Sequence, residues 1–206
     1  MPTRTRRGLF VVLEGPDKSG KSTQARMLMG WLKRRGVKAV HTREPGGTAV
    51  AEGVRQVLLD TKNTIGALAE LFLYEAGRAQ HTEETIRPAL KAGKLVLCER
   101  YTMSTMAYQG YGRRLPLALI RALNKTATGG LEPDLTIVID RSGGDYGARD
   151  PRRRLDRLER ESSDFHARVR AGYRALARAP RARLVDATKS IEEVHAEISD
   201  LVERAL

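Results

Sequence analysis

The sequence predicts an α/β fold, a five-stranded parallel sheet flanked by helices, in one domain over residues 1–206 with a small flexible lid near 142–156. Three features predict it. Short apolar runs alternate with longer segments of helical periodicity, the pattern of strands joined by helical crossovers. The first run, residues 9–13, is apolar throughout except for the Glu14-Gly15 that ends it, as a strand buried on both faces reads. A glycine-rich stretch then leads straight into a helical repeat.

Along the chain, Ala25, Leu28, Met29 and Leu32 recur at i, i+3, i+4 and i+7 before Gly36, which predicts a helix of about four turns after the glycine stretch. Further strands are expected over 37–42, 94–99, 135–140 and 183–186. Between them Ile65, Leu68, Phe72 and Ala76 mark one helix and Ile86 and Leu90 another. Leu158, Phe165, Val169 and Leu176 mark a third. The last helix starts at Ser190 with Glu193 three residues on, a capping-box pattern, and carries Ile191, Val194, Ile198, Leu201 and Val202 on one face.

A chain of 206 residues is long enough to bury a sizeable single core. Its apolar residues are dispersed, and no run approaches the roughly 20 needed to span a bilayer. The apolar stretch at 9–13 is too short for the core of an export signal, so none is expected. Cys98 is the only cysteine and the four histidines have no metal-ligand spacing, which makes the cytoplasm the expected compartment. A net charge of +12 invites polyanions, concentrated in 149–160 and 168–183, yet the densest run has no interleaved aromatic residues on which bases would stack. Anionic nucleotides account for the same charge, so nucleic acid is not the expected partner.

Gly15-Pro16-Asp17-Lys18-Ser19-Gly20-Lys21-Ser22 fits the phosphate-binding loop pattern G-x-x-x-x-G-K-[ST], placed between a strand and a helix as that pattern requires. Backbone N–H groups there and at the helix start cradle phosphate oxygens, and glycine lets the backbone approach closely. A P-loop nucleotide-binding fold follows, with ATP held by Gly15, Asp17, Lys18, Ser19, Gly20, Lys21, Ser22 and Thr23. Lys21 would neutralise β/γ charge and the Ser22 hydroxyl would ligate Mg²⁺. A GTPase is excluded, because the nearest guanine-reading candidate, Asn124-Lys125-Thr126-Ala127, lacks the aspartate.

Three further segments match one family in order and spacing: Thr42-Arg43-Glu44-Pro45-Gly46-Gly47-Thr48, Arg78-Ala79-Gln80-His81, and Glu99-Arg100-Tyr101 followed by Ser104, Ala107, Tyr108 and Gln109. Asp156-Arg157-Leu158-Glu159 and Asp186-Ala187 fit as well. From about Leu9 to its end the chain resembles thymidylate kinases, which implies transfer of the γ-phosphoryl group of Mg·ATP to dTMP and a homodimer. Arg43 and Arg100 each follow a strand's C-terminal end, the ligand edge of an open α/β sheet, and the resemblance assigns both to the dTMP phosphate. Tyr74 and Arg78, four residues apart on one helix face, suit a stacking ring and a base-edge donor. The resemblance gives them the thymine, brings Thr105 and Gln109 to the base edge, lays Tyr108 against the deoxyribose, and puts Asp17 on the sugar 3′-hydroxyl.

Lys21, Arg100 and Lys18, with lid arginines among which Arg153 is the main candidate beside Arg149, Arg152 and Arg154, are the cations expected around the transferring group. Two residues depart from the family pattern. Lys18 stands where some members carry a catalytic arginine, offering a point charge instead of a planar fork. Glu99 replaces the aspartate that helps organise Mg²⁺, so Ser22 and Glu99 form the expected metal set. A Glu-Arg pair in this place also resembles deoxynucleoside kinases, whose acceptor is a hydroxyl; Arg43-Glu44-Pro45-Gly46-Gly47 argues against that alternative. The remaining alternative is a P-loop nucleic-acid-binding or regulatory protein without kinase activity.

Overall fold

The computed structural model describes residues 7–141 and 155–206. Five parallel strands, β1 (Phe10–Glu14), β2 (Ala39–Arg43), β3 (Leu95–Glu99), β4 (Leu135–Asp140) and β5 (Ala182–Asp186), form one sheet in the order β2-β3-β1-β4-β5. The longer helices are α1 (Lys21–Arg34), α2 (Ala49–Leu59), α3 (Ala67–His81), α6 (Leu117–Thr128), α7 (Ser163–Leu176) and α8 (Ile191–Glu203). Two short ones, α4 (Arg87–Lys91) and α5 (Thr102–Thr105), adjoin π-helical turns at Thr82–Ile86 and Met106–Gly112. Among the described residues no helix is long and apolar enough to cross a membrane.

The apolar runs of the strands split by parity, as a pleated strand requires. Val11, Leu13, Leu95, Leu97, Ile137 and Ile139 face α1 and α8, meeting Ala25, Leu28, Leu32, Val194, Ile198 and Val202. Phe10, Val12, Val96 and Cys98 face the other way, onto Ile86, Leu90 and Tyr101. Each central strand is therefore coated on both sides, which is why β1 and β3 are buried at every position. Cys98 is part of this packing, and burial pushes its thiol well above the ordinary range.

The helix predicted from Ile65, Leu68, Phe72 and Ala76 forms, but turned inside out. Leu68 and Phe72 are about half exposed, and Ala76 is exposed. The inward face is made of Glu70, Leu71, Glu75, Gly77, Arg78 and His81. Ion pairs and hydrogen bonds serve these polar groups, all but one carboxylate oxygen of Glu75, so the ordinary rule that the apolar stripe marks the core fails here.

Two helices escape the sequence patterns. α2 starts at Thr48, whose hydroxyl accepts from Ala51 N at 3.1 Å, but Gly46, Gly47 and Gly53 read as loop and Val50 and Val57 face outward. α6 buries only Ile120, Asn124 and Thr128, two of them polar. Leu158, expected within a helix, sits in the turn before α7, whose start is set by the Ser162 hydroxyl accepting from Phe165 N at 3.2 Å.

The capping box at α8 is present in both directions: Glu193 N donates to Ser190 Oγ at 3.2 Å and Ser190 N to Glu193 Oε2 at 2.9 Å. Replacing Ser190 by Ala removes one orphan-donor partner, and the expected loss is about 1 kcal/mol. For a chain of this length that is a fall in Tm of roughly 2–4 °C, read by thermal denaturation; an unchanged Tm would show that the cap adds nothing.

Candidate active site

Every strand ends in a charged residue: Glu14, Arg43, Glu99, Asp140 and Asp186. They share the C-terminal edge of the sheet, where ligands of open α/β folds bind. Because β1 is central, the loop 15–22 emerges at the middle of that edge. At Gly15 φ is +135°, and a Cβ would lie 2.3 Å from the Ile139 carbonyl oxygen, so only glycine lets the loop pass β4. Gly20, with φ +97°, precedes α1 in the left-handed region, and no side chain caps the N–H groups of the first turn.

Lys21 folds back over this loop, its Nζ donating to Gly15 O at 3.0 Å and Pro16 O at 2.6 Å. Burial, reinforced by the neighbouring Arg100 cation, lowers its pKa to about 7. Ser22 Oγ donates to Glu99 Oε2 at 2.6 Å, while Glu99 Oε1 lies 2.9 Å from Nε2 of His41 on the adjacent strand. Burial works to raise the Glu99 carboxyl, but the hydrogen bonds from His41 and Ser22 outweigh it and hold the group below its ordinary value. The longer side chain thus spans between two partners. Ser22 and Glu99 offer hard oxygen donors of the type Mg²⁺ takes when the other positions are filled by water and phosphate oxygens. Among the described residues no three carboxylate, histidine or cysteine groups converge to hold a metal by themselves.

Arg100 has φ +69° and Lys18 φ +61°, conformations that cost a non-glycine residue energy and collect at functional sites. The Arg100 guanidinium donates to Gly15 O and Tyr173 OH, both at 2.9 Å, to Asp17 Oδ1 at 2.5 Å and to Tyr108 OH at 3.2 Å. Tyr108 OH donates in turn to Asp17 Oδ2 at 2.6 Å. Burial pushes the Asp17 carboxyl up, yet Arg100 and Lys21, with the Tyr108 hydroxyl, bring it down to about 2. Its contribution to stability is therefore present above the ordinary aspartate range and lost as pH falls through about 2. Beneath them the buried Glu14 carboxylate accepts from Tyr101 N, Ser104 N, Ser104 Oγ and Tyr173 OH at 2.6–3.1 Å.

Beside this cluster a cleft opens at the same edge of the sheet. Asp17, Tyr74, Arg100, Thr105, Tyr108 and Gln109 all line it, together with Glu44, Pro45, Arg55, Ser104, Asp156 and Leu158. The π-helical turn at Met106–Gly112 belongs to the same wall, with Arg113 N reaching Tyr108 O at 2.9 Å in i+5 spacing. Six of the expected acceptor-site residues are thus brought together.

Two others stand apart from the cleft surface. Arg43 is half exposed and donates to Glu52 Oε2 at 3.1 Å. Arg78 is only 2% exposed and lies behind the wall. It donates to Glu44, Glu75, Asn124 and the Tyr101 carbonyl at 2.8–2.9 Å and to Thr105 Oγ1 at 3.1 Å. Arg149, Arg152, Arg153 and Arg154, with residues 142–154 of the expected lid, lie outside the described residues.

Glu14, Arg55 and Glu70 escaped the sequence reading. The one signal for Glu14 is a carboxylate closing an otherwise apolar strand. Arg55, whose Nη1 donates to Pro45 O at 2.9 Å, sits on the unrecognised helix α2. Glu70 looks like one more surface acid beside an apolar stripe, and only the inversion of α3 buries it.

A glycine loop at the centre of the sheet edge, a lysine folded back over that loop and a second cleft beside it together define a P-loop nucleotide kinase. The sequence profile of the family described as thymidylate kinase matches residues 13–198. The thymidylate kinase of Leifsonia xyli is 49% identical over 201 residues, covering 96% of this chain and 95% of the relative. That of Symbiobacterium thermophilum is 46% identical over 201 residues, covering 96% and 94%. The crystal structure of the thymidylate kinase of Ehrlichia chaffeensis superposes with a TM-score of 0.77 at 33% identity, covering 96% of this chain and 99% of that one. The chain belongs to the thymidylate kinase family.

A phosphate arriving at the loop adds negative charge beside Lys21 and raises its pKa from about 7. At pH 8 the free side chain is mostly neutral, so binding a nucleoside triphosphate is expected to take up close to one proton. Calorimetry in buffers of different ionisation enthalpy measures the uptake, which should vanish in Lys21→Met; no uptake by the unaltered protein would show that Lys21 is already charged.

Proposed function

We propose that this protein transfers the γ-phosphoryl group of Mg·ATP to the 5′-phosphate of dTMP, giving ADP and dTDP. The observation that carries the reading is the single guanidinium of Arg100, which touches the phosphate-binding loop at Gly15 O and also lines the neighbouring cleft. Donor and acceptor phosphates would meet across it.

ATP lies along Gly15, Asp17, Lys18, Ser19, Gly20, Lys21, Ser22 and Thr23, with its phosphates on the N–H groups of the loop and of the first turn of α1. The Ser22 hydroxyl and Glu99 would hold magnesium, which would supply charge neutralisation at those phosphates. Tyr74 stacks on the thymine, Thr105 and Gln109 meet its edge, Tyr108 flanks the deoxyribose and Asp17 takes the 3′-hydroxyl. Arg100 binds the acceptor phosphate, and Lys18, Lys21 and Arg153 complete the cationic surround. Phosphoryl transfer asks mainly for positioning and charge compensation, and pre-paid strain at Lys18 and Arg100 serves the positioning. Arg43 reaches the acceptor phosphate by exchanging Glu52 for it. Arg78 supports the wall through Thr105, and contact with a base carbonyl requires it to exchange one of its protein acceptors.

The described residues form a single kinase domain. A homodimer accounts for the inverted α3: Leu68 and Phe72, with Val50 and Val57 of α2 and Leu119 of α6, leave exposed apolar surface on α3 and on the two helices that pack against it. One buried cysteine and no disulfide among the described residues suit the cytoplasm.

The discriminating experiment supplies Mg·ATP with dTMP, dUMP, dCMP or thymidine and measures ADP release. Turnover led by dTMP is expected; turnover led by thymidine would replace this reading with a deoxynucleoside kinase, and salt-sensitive nucleic-acid binding without turnover would point to a binding protein. Arg100→Ala and Lys18→Ala should each lower kcat by about 10² or more, and intact turnover in both refutes the cation assignment. Phe72→Glu buries a charge in the proposed interface, so light scattering should report a monomer; an unchanged dimer would place the interface elsewhere.

A further inference from the structure

Glu70 is fully buried on the inward face of α3 and takes part in none of the chemistry described above. Its Oε1 accepts from Gln109 Nε2 at 2.7 Å and from Arg113 Nε at 3.1 Å. Its Oε2 accepts from Arg113 Nη2 at 3.1 Å and lies 2.6 Å from Arg157 Nη2. Burial works to raise the carboxyl, but Arg113 and Gln109 hold it below the ordinary value, so at neutral pH it is ionised. An ionised carboxylate only accepts. The Gln109 amide, 1% exposed and part of the cleft wall, must therefore turn its NH₂ toward Glu70, since the opposite flip would press two acceptors together. The amide oxygen Oε1 is then the acceptor left for a ligand in the cleft.

We propose that Glu70 is a positioning residue that fixes the flip of the Gln109 amide and so makes the cleft select a pyrimidine carrying hydrogen on N3, thymine or uracil, over cytosine. The inference rests on reading the cleft as the site of the acceptor nucleotide. N3 of thymine and uracil donates to an amide oxygen. N3 of cytosine presents a lone pair to the same oxygen, and a buried polar group facing an unmatched partner is a strong basis for rejection. Shape alone does not separate uracil from cytosine, because their rings are nearly isosteric and neither carries the 5-methyl group of thymine. Arg113 and Arg157 act one step further back, keeping Glu70 charged.

The test compares kcat/KM for dTMP, dUMP and dCMP in the unaltered protein, in Glu70→Gln and in Arg113→Gln, with Tm recorded for each. The Glu70→Gln side chain can accept or donate, so either flip of Gln109 finds a partner, and the preference for dTMP over dCMP should fall at least about tenfold. Arg113→Gln leaves Glu70 beside Gln109 with Arg157 still in place; its Tm should fall while the preference stays within about threefold. A folded Glu70→Gln protein with the original preference overturns the assignment, as does an equal change in Arg113→Gln. If Glu70→Gln does not fold, calorimetric binding of N3-methyl-dTMP to the unaltered protein decides: affinity at least about tenfold below that of dTMP supports an acceptor at N3, and equal affinity overturns it. The two readings fail differently. No turnover of any of the three monophosphates sinks the kinase assignment, whereas dTMP turnover matched by dCMP sinks the role of Glu70 alone.

Discussion

The Arg100 guanidinium joins the loops that leave the two central strands. It follows β3, lies in a backbone conformation that side chains rarely adopt, and spends its donors on Gly15 O, Asp17, Tyr108, Tyr173 and Ser104. The pairing of β1 with β3 brings the two loops together, since Leu13 and Glu99 are in register and Arg100 N donates to Leu13 O at 2.8 Å. Burial opposes this cation, but Tyr108, Asp17 and Tyr173 hold its proton, so the charge persists in a site built for anions. Glu14 completes the arrangement from below by anchoring Ser104 and Tyr173, two of the groups that touch Arg100. Under the proposed function, an acceptor phosphate would meet a cation already oriented, with little reorganisation left to perform.

The same economy of burial explains α3. A helix with a polar inner face is costly unless every group finds a partner. Arg78 finds five acceptors, His81 bridges Glu44 and Thr42, and Glu70 gathers Gln109, Arg113 and Arg157. That network forms the back of the cleft wall and ties it to Leu58 and Leu59 of α2 through Arg157. With its polar side committed inward, the helix has only its apolar side to turn outward.

Much of the scaffold was legible in the residues alone. All five strands were legible to within one or two residues, most plainly β1, β3 and β4, whose burial at every position leaves few polar residues to blur the signal. The glycine loop and its lysine were legible because phosphate binding needs backbone geometry that few residues permit. The helices α2 and α6 were not, since outward-facing valines and leucines and buried Asn124 and Thr128 break the periodic pattern that marks a core-facing helix. The face of α3 was read in reverse for the same reason.

Within the site, the sequence by itself determined which chemical groups are available and which loops carry them, because the turn after each strand of a parallel sheet must open at one edge. It determined that Asp17, Arg100, Tyr108 and Gln109 belong to such loops or the helix beginning there. Only the tertiary structure decided how they are used. Strand order set Glu99 between Ser22 and His41, three residues from three separate segments, and packing sank Arg78 behind the wall while leaving Arg43 on Glu52. The inversion of α3 placed Glu70 against Gln109. Orientation of a buried polar side chain depends on partners distant in the chain, and local pattern carries no record of them.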